Sequence, residues 1–230
     1  MIPLRDSTPS RSVPVVTWLI VAANTVVFLF QLMLSNSQLD WFINNFAFIP
    51  ASWQVNPVWF VVTLFTSMFM HSGWLHFIGN MWVLIIFGDN VEDRMGPLRF
   101  LIFYLLGGLA AGVLQFAFAP LSTIPTLGAS GAIAGVMGAY ILLFPHARVD
   151  TIVMLIFYFR HINVPAWIYL GFWFLTQLFS GVMALGQVAV GGVAWWAHIG
   201  GFAFGALGYR FFTRRQLPPT REFEYPSYYR

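Results

Sequence analysis

"TLGASGAIAGVMGAY", residues 126–140, is apolar enough to lie in hydrocarbon, yet it carries a hydroxyl, Ser130, among glycines at 128, 131, 135 and 138. Two readings of this stretch are open. Small residues let one membrane helix lie close against another, with the serine as a small polar contact at the interface. Alternatively, the serine is a nucleophile at a helix N-terminus, with bulk cleared from around it. The rest of the chain bears on the choice.

Composition fixes the class. Hydrophobic residues make up 59% of the 230 and charged residues 8%, against about 25% charged in soluble domains. Mean hydropathy is +0.74. A soluble globule of this length needs far more polar surface, so the chain reads as an all-α protein of several spans in a lipid bilayer. It has no cysteine, which excludes disulfides and thiolate chemistry. The calculated pI of 9.5 does not point to nucleic acid, because the basic residues flank apolar runs and form no stripe interleaved with aromatics.

Six apolar stretches predict six transmembrane helices, at about 14–34, 71–90, 97–119, 130–144, 165–185 and 193–212. The first is too long for a signal peptide and lacks a small-residue cleavage site. The fourth is short for a hydrocarbon core of about 30 Å. Residues 35–70, rich in Trp, Phe, Asn and Pro, read as a long membrane-associated loop. The apolar run between Arg148 and Arg160 is too short to cross and is placed along the membrane surface. The layout is thus a cytoplasmic N-terminal tail (1–13), a six-helix domain (14–213) with no appended domain, and a cytoplasmic C-terminal tail (214–230). That last tail has no apolar period and is expected to be disordered.

Charge placement orients the bundle. All eleven basic residues are arginines, at or near the N-terminal tail, the loop after the second stretch, the segment after the fourth and the C-terminal end. The alternate connections, 35–70, 120–127 and 186–192, contain none. The positive-inside rule then puts both termini in the cytoplasm, with the cell membrane as the expected location.

Polar groups inside such stretches are costly and are functional candidates by default. Ser130 begins the fourth. "HSGWLHFIGN" (71–80) holds His71, His76 and Asn80, the last two one helical turn apart on one face. "AWWAHIGGFAFG" (194–205) holds His198, followed by Gly201 and Gly205. In the predicted orientation all three clusters lie toward the outer side. Gly131 and Gly135 on one helix, with Gly201 and Gly205 on another, allow an approach close enough for a serine to reach a histidine. A Ser–His pair is the minimum machinery for acyl transfer, since imidazole takes the proton from an otherwise weak nucleophile. A helix N-terminus under the serine, with His76 and Asn80 beside it, would supply donors for an oxyanion.

Taken together, "GASG" (128–131), "HSGWLHFIGN" (71–80), "AHIGGFAFG" (197–205) and "VEDRMG" (91–96) resemble the signature elements of rhomboid intramembrane serine proteases, over roughly residues 14–212. The resemblance implies Ser130 as nucleophile and His198 as general base with no acidic third member, and an oxyanion hole of His76, Asn80 and the Ser130 backbone N–H. It implies transmembrane protein substrates, no cofactor and no metal, and structural roles for His71 and for Glu92 and Arg94 as an ion pair or cap. Two positions depart from the family pattern. Val62-Thr63 stands where many members have Trp-Arg, and Ala134 where an aromatic often stacks on the catalytic histidine. Trp195, Trp196 or another aromatic would then have to orient His198. The rival readings are a proteolytically inactive rhomboid-like protein that binds membrane clients, and a transporter, which would show inverted repeats and polar groups through the bilayer depth.

Overall fold

A computed structural model describes residues 1–155, 158–185 and 193–214. The chain begins with a strand, β1 (Ile2–Asp6), before its first helix, α1 (Val15–Met33). No side chain from its own segment caps α1. Its N-terminus is instead satisfied from a distance by the Glu92 carboxylate. This accepts from Val16 N at 2.9 Å, Thr17 N at 2.7 Å and Thr17 Oγ1 at 2.8 Å. Buried N–H donors at a helix start need such an acceptor, and a carboxylate there also suits the helix dipole.

Residues 35–70 are built from short helices. α2 (Asn36–Phe46) starts with a capping box of Ser35 and Gln38. α3 (Pro57–Thr66) has Pro57 in its first turn, and the Asn56 side chain accepts from Trp59 N at 3.1 Å. With the short turn that follows it to Phe69, α3 bends 82° away from α4 (Trp74–Met95). Then come α5 (Pro97–Phe118), α6 (Ser130–Leu143), strands β2 (Arg148–Leu155) and β3 (Tyr158–Pro165), α7 (Ala166–Met183) and α8 (Trp195–Phe212).

Among the described residues three helices, α1, α5 and α7, are long and apolar enough to cross a bilayer, and a fourth crossing follows if the bent α3–α4 pair counts as one. α6 is apolar but only 14 residues long. It is also the centre of the core. Every residue from Gly131 to Tyr140 is buried, among side chains such as Phe87, Phe103, Tyr104 and Phe202.

At one end of the bundle the strands form an antiparallel sheet in the order β1-β2-β3. The run between Arg148 and Arg160, read from sequence only as surface-lying, is therefore part of an antiparallel pair of strands, and a five-residue strand of the predicted tail pairs with it through Ile2, Pro3, Arg5 and Asp6. The residues alternate as a strand's do: Val149 and Thr151 are fully buried, while Arg148 and Asp150 are not, a period of two. Arg5 Nε donates to Asp150 Oδ2 at 2.8 Å, and this bond holds the Asp150 carboxyl below its ordinary value. Asp6 turns inward, accepting from Tyr140 Oη and, at 3.0 Å, from Asn90 Nδ2. Burial pushes its carboxyl up. Trp82 Nε1 donates to the Pro3 carbonyl at 2.6 Å, so the sheet is fastened to α4 as well as α6. The predicted C-terminal tail beyond Arg214 and the 186–192 connection lie outside the described residues.

Candidate active site

The segment leading to α6 is stapled in place before Ser130 is reached. Phe48 and Thr126 form an isolated antiparallel bridge, with N···O distances of 3.0 and 2.7 Å, and Gly128 N donates to the Ser67 carbonyl at 2.9 Å. Gly128 has φ +127°, open to glycine but costly for other residues. A Cβ there would also lie 2.6 Å from His76 Nε2 and 3.7 Å from Ser130 Oγ. One missing methyl group thus satisfies a backbone turn and lets the His76 ring approach the serine.

Opposite, α8 lies against α6 backbone to backbone. A Cβ at Gly201 would overlap the Gly131 carbonyl oxygen, and one at Gly205 that of Gly135. This crossing brings His198 Nε2 to 2.8 Å from Ser130 Oγ. On its other side, His198 Nδ1 is 2.7 Å from Gln177 Oε1 of α7. The Trp173 ring, one turn before Gln177, lies 5.6 Å from the imidazole at a 36° tilt, and Trp195 stands edge-on at 6.5 Å. Trp196 stacks on Phe118 instead. The aromatic neighbour that Ala134 cannot supply therefore comes chiefly from α7.

His76 Nδ1 lies 3.0 Å from Ser72 Oγ and accepts from Ser72 N at 3.4 Å. A ring nitrogen that accepts from a backbone N–H carries no proton, so the neutral ring has its proton on Nε2, the atom facing Gly128 and Ser130. Asn80 Nδ2 donates to the His76 carbonyl at 2.8 Å, which spends one of its two amide hydrogens. A cavity of ≈ 800 Å³ is lined by Ser72, His76, Gly128, Ser130, Trp195 and His198, among others.

The Rhomboid domain family model matches residues 58–215. The chain belongs to the rhomboid family. Among curated relatives, RHOMBOID-like protein 6, mitochondrial, of Arabidopsis thaliana is 38% identical over 37% of this chain and 26% of its own length. Rhomboid-like protease 5 of Toxoplasma gondii is 33% identical over 67% of this chain and 16% of its own. Putative rhomboid protease YdcA of Bacillus subtilis is 30% identical over 58% and 64%. This rhomboid thus spans less than two thirds of the length of each of these relatives.

The residues singled out in this rhomboid's sequence fall into two groups. Ser130, His76 and His198 line one cavity, and Asn80 is tied to His76. His71, Glu92 and Arg94 do not line it. The His71 backbone is clasped by Gln31, which accepts from His71 N at 2.9 Å and donates to its carbonyl at 3.2 Å, while its ring packs against Phe28, Phe77 and His76. Of the two alternatives for Glu92, the cap on α1 is what forms. Arg94 lies over the Phe144 ring at 5.7 Å. Sequence reasoning passed over Gln177, although a polar side chain within a predicted apolar span carries the same flag as Ser130 and His198.

Proposed function

We propose that this rhomboid is an intramembrane serine endopeptidase acting on transmembrane segments of membrane proteins through a Ser130–His198 dyad. The observation that carries the reading is the 2.8 Å separation of Ser130 Oγ and His198 Nε2 beside His76. His198 Nε2 takes the hydroxyl proton as Oγ adds to the scissile carbonyl carbon. The carbonyl oxygen becomes an oxyanion. The Ser130 backbone N–H, a first-turn donor for which α6 itself supplies no acceptor, stabilises it together with His76 Nε2–H and the Asn80 amide. The C–N bond then breaks, and the leaving nitrogen takes the proton from His198. A water, deprotonated by His198, next attacks the acyl-Ser130 ester. Collapse releases the carboxylic acid product, and the proton returns from His198 to Ser130.

We propose the six-span layout with both termini cytoplasmic, crossings at α1, α4, α5, α6, α7 and α8, and the site on the outer side. Its support is that the Arg-bearing sheet and the Ser130 end of α6 lie at opposite ends of that helix: Tyr140 reaches Asp6 while Ser130 reaches His198. The test is labelling of the purified, reconstituted protein by a serine-directed fluorophosphonate, run beside cleavage of a transmembrane substrate. Labelling at Ser130 in wild type that vanishes in both Ser130→Ala and His198→Ala, with cleavage lost in both variants, is the expected result. A client-binding rhomboid-like protein without catalysis would give neither labelling nor cleavage.

A further inference from the structure

We propose that Gln177 is a positioning residue that keeps the proton of neutral His198 on Nδ1, so that Nε2 is free to take the proton of Ser130. This rests on the proteolytic reading above and adds a third member to its dyad. An imidazole has two tautomers, and only the one with a bare Nε2 can act as base toward Ser130. Left to itself the ring has no strong reason to choose.

The choice is made three bonds away, on the backbone of α7. The Thr176 hydroxyl donates to the Trp173 carbonyl at 2.6 Å, leaving its lone pairs to accept from Gln177 Nε2 at 3.2 Å. Gln177 Nε2 also donates to the Trp173 carbonyl at 3.4 Å. A carbonyl oxygen can only accept, so the amide nitrogen must face that side and Oε1 must face His198. Oε1 likewise can only accept. The hydrogen of its 2.7 Å contact with His198 therefore belongs to Nδ1. The polarity runs in one direction from helix backbone to serine: carbonyl, amide, imidazole, hydroxyl.

Gln177 is only 7% exposed, which restricts the access of water as a substitute acceptor. It lies in the buried stripe of α7 with Ala166, Leu170 and Gly181. When Nε2 gains the serine proton, the imidazolium still donates Nδ1–H to Oε1. The amide therefore holds the ring in both states without itself taking a proton. A neutral amide stabilises that cation less than a carboxylate would, so the effect of Gln177 lies mainly in orientation.

The experiment compares wild type, Gln177→Leu and Gln177→Glu as full chains in liposomes, with Ser130→Ala alongside. It records kcat and KM on a transmembrane substrate, melting temperature, and the ¹⁵N chemical shifts of His198 by solid-state NMR, assigned against His198→Gln. Gln177→Leu keeps the bulk and removes the acceptor. Expected are a fall in kcat of roughly 10- to 100-fold, by analogy with the loss of a partner that orients a metal-bound histidine, an unchanged KM, and loss of the pure Nδ1–H signature. Gln177→Glu, which keeps an oxygen acceptor, should restore that signature and most of kcat. The proposal is overturned if Gln177→Leu keeps the wild-type tautomer, or if Gln177→Glu fails to rescue while both variants melt early. The NMR readout needs no turnover. If instead Ser130→Ala cleaves as well as wild type, the proteolytic reading falls while the tautomer comparison still decides the role of Gln177.

Discussion

α6 and α7 both supply the neighbourhood of His198, and they are held in different ways. α6 is buried along ten consecutive residues and meets α8 with its backbone. α7 buries only Ala166, Leu170, Gln177 and Gly181, and most of its remaining surface is apolar and exposed. The first helix sets a distance; the second sets a direction. Where backbone touches backbone there is no side chain to adjust, so an added atom must push the helices apart. Where one stripe docks a helix, its outward positions tolerate change and the inward polar one does not.

The comparison is broken most sharply at the reacting atoms. Ser130→Ala and His198→Ala should each reduce cleavage to background, a loss on the order of 10⁶-fold where such pairs have been dissected. Melting temperature should stay near wild type, since Ser130→Ala removes one oxygen. Retained turnover in either purified variant would remove the dyad.

Next in size is Gly201. Gly201→Val should abolish activity and lower the melting temperature together, because a Cβ there overlaps the Gly131 carbonyl oxygen. Gly201→Ala already adds that atom, so it should lose most activity too; a 1 Å displacement costs about 10²-fold. A thermostable, active Gly201→Val would mean that the crossing is looser than described. Asn80→Ala should be milder than the dyad variants, about 10²- to 10³-fold in kcat as for a single oxyanion donor. A variant that unfolds without a separable kinetic effect would make Asn80 a helix-packing residue only.

The same Gly→Ala change on α7 is the matched control. Nothing lies within 4 Å of a Cβ at Gly171, so Gly171→Ala should leave cleavage unchanged and raise stability by about 0.5–1 kcal/mol through helix propensity. The smallest effect is at the sheet. The Asp6 carboxyl is pushed above its ordinary 3.8, so its folded form binds a proton more readily than the unfolded chain does. Its contribution is fully present below pH 3.8 and is lost as pH rises through the folded value. Melting temperature should therefore decline slightly across that window in wild type and not in Asp6→Asn. An identical decline in both would assign it to another group.

Much of the site was legible because its residues are chemically out of place. A serine, two histidines and an asparagine in apolar helices stand out without any structure, and the glycines around them indicate a close crossing. Gln177 was equally out of place, yet it lacked a partner in the sequence; its meaning comes only with α7 packed on α8. The aromatic beside His198 could not be located for the same reason, since Trp173 was one of ten tryptophans. The fold was less legible where a pairing is distant and short. Five residues at positions 2–6 carry too little periodicity to be read as a strand until their partner at 148–155 is known. The Glu92 cap on α1 joins residues 75 and 76 apart, and sequence left it undecided between cap and ion pair.

That distant pairing has a consequence in time. Residues 2–6 are made before the strand they dock on, which follows about 145 residues later. At about 5–20 residues per second of synthesis, roughly 7–30 s pass before β2 exists. Throughout that interval β1 lacks the strand it pairs with, a hazard for mispairing. Pro3, Arg5 and Asp6 within it lower that hazard, because proline withholds a donor and the charges resist stacking with another edge. The closing of this sheet is therefore a late event in the making of the molecule, after α1, α4, α5 and α6 have all been synthesised.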